Sequence, residues 1–323
     1  MTGIIFNPFS GIPANKKSHV RGWALHWADC LDAEIADKDT DLSQATVLYL
    51  DHGVNFGGSL NLFGGVTDEV CDRLEQIIDG CAALFSLDIP MPNYVEQLSK
   101  RAGQATCSPR LQPMLKALER RFASAQCIPQ ESLAFKRVTI GDSHSTAFAP
   151  EASAVLRHNG QTLYGALRDR LVQGLMPKVE NFSELTLVFG SIDLRHHIGR
   201  RPNPQAAITG LVERYAEMVR EIEGNFDRVE VCYAVPVEHE GRKIPQTGFY
   251  GGTPFAGSRD DRRLWTALFS LALDDAFGMD RVISPPNDWY SMDGEAYASK
   301  IMELSSSVHI APIHYRRHKW GVA

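Results

Sequence analysis

Short apolar runs of strand length alternate along this chain with longer stretches of helical period, and several of the short runs end directly in glycine- or aspartate-bearing loops. That order restricts the chain to α/β architecture, in which parallel strands are joined by crossover helices and loops gather at the carboxyl ends of the strands. In the first half, residues 45–50 (ATVLYL) read as a buried strand running into Asp51 and the glycine-rich stretch HGVNFGGSLNLFGG. Val70, Leu74, Ile77 and Ile78 then recur at helical spacing over residues 67–79, with Gly80 where a helix end tolerates positive φ, and residues 81–87 follow as a second strand. This strand, loop, helix, strand sequence is one βαβ unit, whose rim would carry Asp51, His52 and Asp88. Residues 100–130 hold three prolines and one expected helix over 115–124, and read as a connector.

The order of elements restarts at a strand over residues 134–140, which places a domain boundary near residue 130. Downstream, residues 185–189, 229–235 and 281–284 read as strands. Ile208, Leu211, Val212, Tyr215, Val219 and Ile222 form one helical stripe, and residues 264–277 form another. A length of 323 residues fits such a pair of units, residues 1–130 and 131–323. A composition of 44% hydrophobic and 22% charged residues excludes disordered and fibrous classes. A formal charge of −6 gives no general reason to expect nucleic acid as a partner. Six dispersed cysteines without a CxxC pair point to a reduced compartment, and the amino terminus lacks the pattern of an export signal; the expectation is a cytoplasmic protein with no membrane span.

Three short motifs stand in an order that carries chemistry. GDSHS at residues 141–145 follows a strand, a position from which a sharp turn can present Ser143 as an exposed hydroxyl. GSIDLR at residues 190–195 also follows a strand and would face the same rim. A late histidine, His309 in SSSVHIAP, can return as general base. This set resembles the SGNH or GDSL hydrolase superfamily over about residues 131–323, including a subset whose third block reads GxIDxR and is followed by an arginine-rich helix, here within GGTPFAGSRDDRRLWTALFSLAL. The resemblance implies a three-layer α/β/α domain with a parallel sheet, preceded here by a smaller Rossmann-like α/β domain that resembles no named family. It also implies Ser143 as nucleophile, His309 as base, and oxyanion donors from the Ser143 amide, from Gly165 in NGQTLYG, and from the residue at 193. Asp142, His144, Arg195 and His197 are then expected to line the substrate.

Two positions depart from the pattern that the resemblance implies. The oxyanion asparagine is replaced by Asp193, and the triad aspartate three residues before the histidine is replaced by Ser306. A negative Asp193 would oppose the developing oxyanion, unless it is protonated in a desolvated site or turned away to pair with Arg195. Asp142, Asp293, Glu303 or a backbone carbonyl could orient His309 instead. Each motif also has a plainer reading: Ser143 as a helix cap, His309 as one of several carboxyl-terminal histidines, Asp193 and Arg195 as a loop salt bridge. Adjacent His196 and His197 lack the spacing of a metal motif, and the glycine-rich stretch lacks a phosphate-loop pattern, so no metal or cofactor is expected. The basic, aromatic tail HYRRHKW could touch phosphate or an acidic sugar, or be a solvated terminus. The leading expectation is a serine esterase or acyltransferase acting on an acylated carbohydrate or glycoconjugate. The alternatives are a nucleotide-donor-dependent transferase with a degraded second domain and a carbohydrate-binding protein without chemistry.

Overall fold

The computed structural model of the chain describes residues 3–6, 18–37, 40–42, 47–50, 83–87, 135–150, 153–238, 254–290, 301 and 308–315, with isolated positions between 14 and 120. Two compact units emerge from the contacts. One comprises Met1–Lys16, Val20–Ala134 and Thr247–Phe249; the other comprises Lys17–His19, Phe135–Gln246 and Tyr250–Ala323.

In the first unit, strands β1 (Gly3–Phe6), β2 (Glu34–Ile35), β3 (Val47–Leu50) and β4 (Ala83–Ser86) form a parallel sheet in the order β2-β1-β3-β4. Helix α1 (His19–Leu31) presents Val20, Trp23, Ala24 and Trp27 at i, i+3, i+4 and i+7, and all four are buried. Ile4, Ile5 and Phe6 are buried in succession, as expected of a strand covered on both faces. The sequence reading assigns no element to β1 or α1. β1 is a four-residue run beside a terminus, and Gly22 and two tryptophans weaken the helical signal of α1. The loop carrying Asp51 and His52, and Asp88, lie outside the described residues.

The second unit contains β5 (Arg137–Gly141), α2 (Ser145–Phe148), β6 (Ser153–Arg157), α3 (Leu163–Arg168), α4 (Leu171–Val179), β7 (Glu184–Val188), α5 (Pro204–Ile222), β8 (Arg228–Cys232), α6 (Arg259–Phe277) and β9 (Val282–Ile283). All five strands are parallel, in the order β6-β5-β7-β8-β9. Right-handed crossovers then place connections running toward β6 and connections running toward β9 on opposite faces of the sheet. Helices α3, α4, α5 and α6 accordingly pack together on one face, while α2 packs against β5, β6 and β7. The result is the three-layer α/β/α arrangement.

Local signals set the helix ends. Asn203 caps α5 by accepting from the Ala206 amide with Pro204 in the first turn, and Ser258 with Asp261 forms a reciprocal capping box at α6. No helix among the described residues is long and apolar enough to cross a membrane.

Candidate active site

Strand order reverses between β5 and β7, and in open parallel sheets such a reversal opens a crevice at the carboxyl ends of the two strands. GDSHS leaves β5 and GSIDLR leaves β7, so the two blocks share this crevice. Gly141 is required where β5 ends, because a Cβ there would run into the Val188 carbonyl of the neighbouring strand. The Asp142 amide donates to that carbonyl (2.9 Å), the His158 amide donates to the Gly141 carbonyl (2.8 Å), and the Ser145 amide closes a turn onto Asp142 (3.1 Å). Ser143 stands at the crest of this turn, half-buried, between buried Asp142 and His144. It is not a helix cap. His144 occupies the cap position of α2, with no side-chain capping bond.

His309 reaches the crest because the chain around it is anchored in a hydrophobic cluster. Ile310, next to the histidine, is buried with Ile301, Trp289, Tyr315, Phe148 and Val188. The Ala311 amide donates to the Ile301 carbonyl (2.8 Å), and the Trp289 indole N–H donates to the His314 carbonyl (2.8 Å). His309 Nε2 consequently lies 2.9 Å from Ser143 Oγ, across 166 residues of sequence. This is the spacing of a nucleophile and its general base. His19 stacks on the His309 ring with centroids 3.6 Å apart and planes within 15°. The His144 ring lies 5.3 Å from that of His309 and is tilted by 33°.

Asp193 begins a single π-type turn (Asp193–His197) closed by the Ile198 amide donating back to the Asp193 carbonyl. Gly190 precedes it at φ +105°, where a Cβ would press on the Phe269 ring at 2.8 Å, so only glycine is accommodated. The Asp193 carboxyl accepts from the Leu163 amide (2.7 Å) and the Tyr164 amide (3.1 Å), at the start of α3. Burial pushes its pKa up to about 6, opposed by these two amides and reinforced by the charge of Asp142. Of the alternatives for Asp193, pairing with Arg195 is not the arrangement seen: the carboxyl binds backbone amides, and Arg195 bonds Glu238 (2.9 Å). Gly165 lies in the first turn of α3. Its amide donates to the Thr162 hydroxyl (2.9 Å), which caps α3, and is thereby committed.

The remaining expected residues divide into two groups. Asp142 and His144 belong to the Ser143 turn and are fully buried: Asp142 Oδ1 accepts from the His144 amide (2.8 Å) and meets His144 Nδ1 (3.1 Å). Arg195 and His197 belong to the π-type turn. Arg195 is buried in a cluster with Glu238 and Arg262, whose Nε lies 3.6 Å from Glu238 and whose guanidinium rests over Phe255. His197 is half-buried, its pKa lowered by burial and by Arg200 and Arg201. Asp293, Glu303 and Ser306 lie outside the described residues. Sequence reasoning missed His19 and Glu238: nothing local marks either one, since their partners lie 290 and 43 residues away.

The second unit has a three-layer α/β/α fold around an all-parallel sheet. No family model matches the sequence, and no curated protein does. Solved structures similar to it in part include a GDSL-like lipase from Bacteroides thetaiotaomicron, 15% identical, with a TM-score of 0.41 over 64% of this chain and 92% of that one. They also include an acetyl xylan esterase, 15% identical, TM-score 0.38, over 58% of this chain and 100% of that one. A lipase from a goat rumen metagenome is 14% identical, TM-score 0.32, over 54% of this chain and 94% of that one.

Proposed function

We propose that this protein is a serine esterase or acyltransferase whose second unit transfers an acyl group through Ser143. The observation that carries the reading is the 2.9 Å contact of Ser143 Oγ with His309 Nε2 at the strand-order reversal. With its own proton on Nδ1, His309 accepts the hydroxyl proton at Nε2 while Oγ attacks the ester carbonyl. The imidazolium then returns that proton to the departing alkoxide, leaving an acyl-serine, and the same base activates water or an acceptor hydroxyl for the second half. The Ser143 amide supports the oxyanion. The His144 amide is taken by Asp142 and the Gly165 amide by Thr162, so fewer donors serve the oxyanion than the resemblance implies.

The substrate class proposed is an acylated carbohydrate or glycoconjugate, on the strength of the resemblance carried by GSIDLR and the arginine-bearing helix α6. The commitment of Asp193 and Gly165 favours one second reading, a carbohydrate-binding protein without turnover. Hydrolysis of 4-nitrophenyl acetate and acetate release from acetylated oligosaccharides separate the two. Ser143→Ala is expected to lower both rates on the order of 1000-fold or more. Equal rates for wild type and Ser143→Ala, or no turnover by folded protein, would overturn the esterase reading.

A further inference from the structure

His144 follows the proposed nucleophile, yet its side chain is buried away from solvent and is used at both ends. Nδ1 lies 3.1 Å from Asp142 Oδ1, and Nε2 lies 3.0 Å from the carbonyl oxygen of Val308, the residue before His309. A carbonyl oxygen only accepts, so Nε2 carries a hydrogen and donates to it. Nδ1 then faces a carboxylate oxygen that already accepts the His144 amide at 2.8 Å. The ring is thus fixed in orientation from one side and grips the histidine-bearing segment from the other.

From this geometry we infer that His144 is a positioning residue for His309, a clasp holding the base segment against the nucleophile turn; the inference rests on the acyl-transfer reading of Ser143 and His309. Position 306 holds serine where the resemblance implies an aspartate beneath the base, so orientation by that aspartate is not available to this chain. The clasp acts through backbone. It locates Val308, and therefore the adjacent His309, relative to Asp142 and so to Ser143, all within one turn. Stacking of His19 at 3.6 Å limits the His309 ring from a further direction. Displacement of a reacting group by about 1 Å costs on the order of 100-fold in rate, so a single hydrogen bond at this place has a large effect on reactivity.

Three substitutions separate the two ends of the clasp. Glutamine at 144 places an amide N–H near the Nε2 position and keeps the donor to Val308. Asparagine reaches only Asp142, and leucine reaches neither. The readouts are the rate of Ser143 modification by a small fluorophosphonate, thermal melting, and the long-range 15N spectrum of the His309 ring. His144→Gln is expected to label within about 10-fold of wild type, whereas His144→Asn and His144→Leu fall on the order of 100-fold. In the spectrum, His309 is expected to show one tautomer in wild type and His144→Gln, and averaged nitrogens in His144→Asn. Equal His309 spectra in wild type, His144→Gln and His144→Asn would overturn the clasp, as would labelling of His144→Asn at the wild-type rate. A wild-type protein that does not label refutes the acyl-transfer reading alone, because the spectra still decide whether His144 holds His309.

Discussion

Replacing Asp193 by asparagine should change the pH dependence of stability in one direction and within one window. The carboxyl is buried and accepts two backbone amides, and burial pushes its pKa up to about 6 from an ordinary 3.8. The folded state therefore binds the Asp193 proton more tightly than the unfolded state does. The stabilisation linked to that proton is fully present below pH 3.8 and is lost as pH rises through 6. At 1.36 kcal/mol per pKa unit, that difference makes the loss about 3 kcal/mol. Asparagine does not titrate, and it turns an amide N–H toward one of the two backbone donors, a cost that is constant with pH. Urea unfolding of wild type and Asp193→Asn in parallel from pH 3.5 to 8 cancels the contributions of other carboxylates. Wild type should lose about 3 kcal/mol relative to the variant across that window and nothing further above pH 7. Parallel curves, or a wild type that gains on the variant as pH rises, would refute the reasoning that burial dominates at this carboxyl.

Other perturbations have expected outcomes of similar definition. Glu238→Gln removes the carboxylate that Arg195 and Arg262 share in a buried site, and should cost about 3–5 kcal/mol in urea unfolding because two guanidinium groups lose their counter-charge. Trp289→Ala empties part of the cluster that seats Ile310 and removes the indole bond to the His314 carbonyl; a loss of about 3–5 kcal/mol is expected, with fluorophosphonate labelling slowed further than stability alone accounts for. Gly190→Ala forces a Cβ onto Phe269 at positive φ and should lower the melting temperature, whereas Gly210→Ala, in the open on α5, should leave it unchanged or raise it.

The second unit was legible in the sequence where burial was continuous or periodic. β5, β7 and β8 bury Val138 and Ile140, Leu185 and Leu187, and Val229 and Val231, and the stripe from Ile208 to Ile222 matches the buried face of α5. β6 (SAVLR) holds as many apolar residues as β7 but was assigned no element; pairing with β5 makes it a strand. At the site, Ser143 was read from a block following a strand and His309 as a late histidine in SSSVHIAP, and the fold brings the two side chains to 2.9 Å. The role of Asp193 was not: its partners are the amides of Leu163 and Tyr164, and backbone amides carry no mark in sequence. Arg195 likewise lies two residues from Asp193 and invites a local pairing, but the π-type turn separates the two side chains and Glu238 supplies the counter-charge. Local pairing is the reading sequence proximity favours, and long-range burial decides otherwise.

The most direct test of the central claim is intact-mass spectrometry with peptide mapping after exposure to a small fluorophosphonate. A single phosphonyl adduct on Ser143, absent in Ser143→Ala and strongly slowed in His309→Ala, is the predicted result. Folded protein that acquires no adduct between pH 6 and pH 9, or acquires one at another serine, would contradict the assignment of Ser143 and His309 as nucleophile and base.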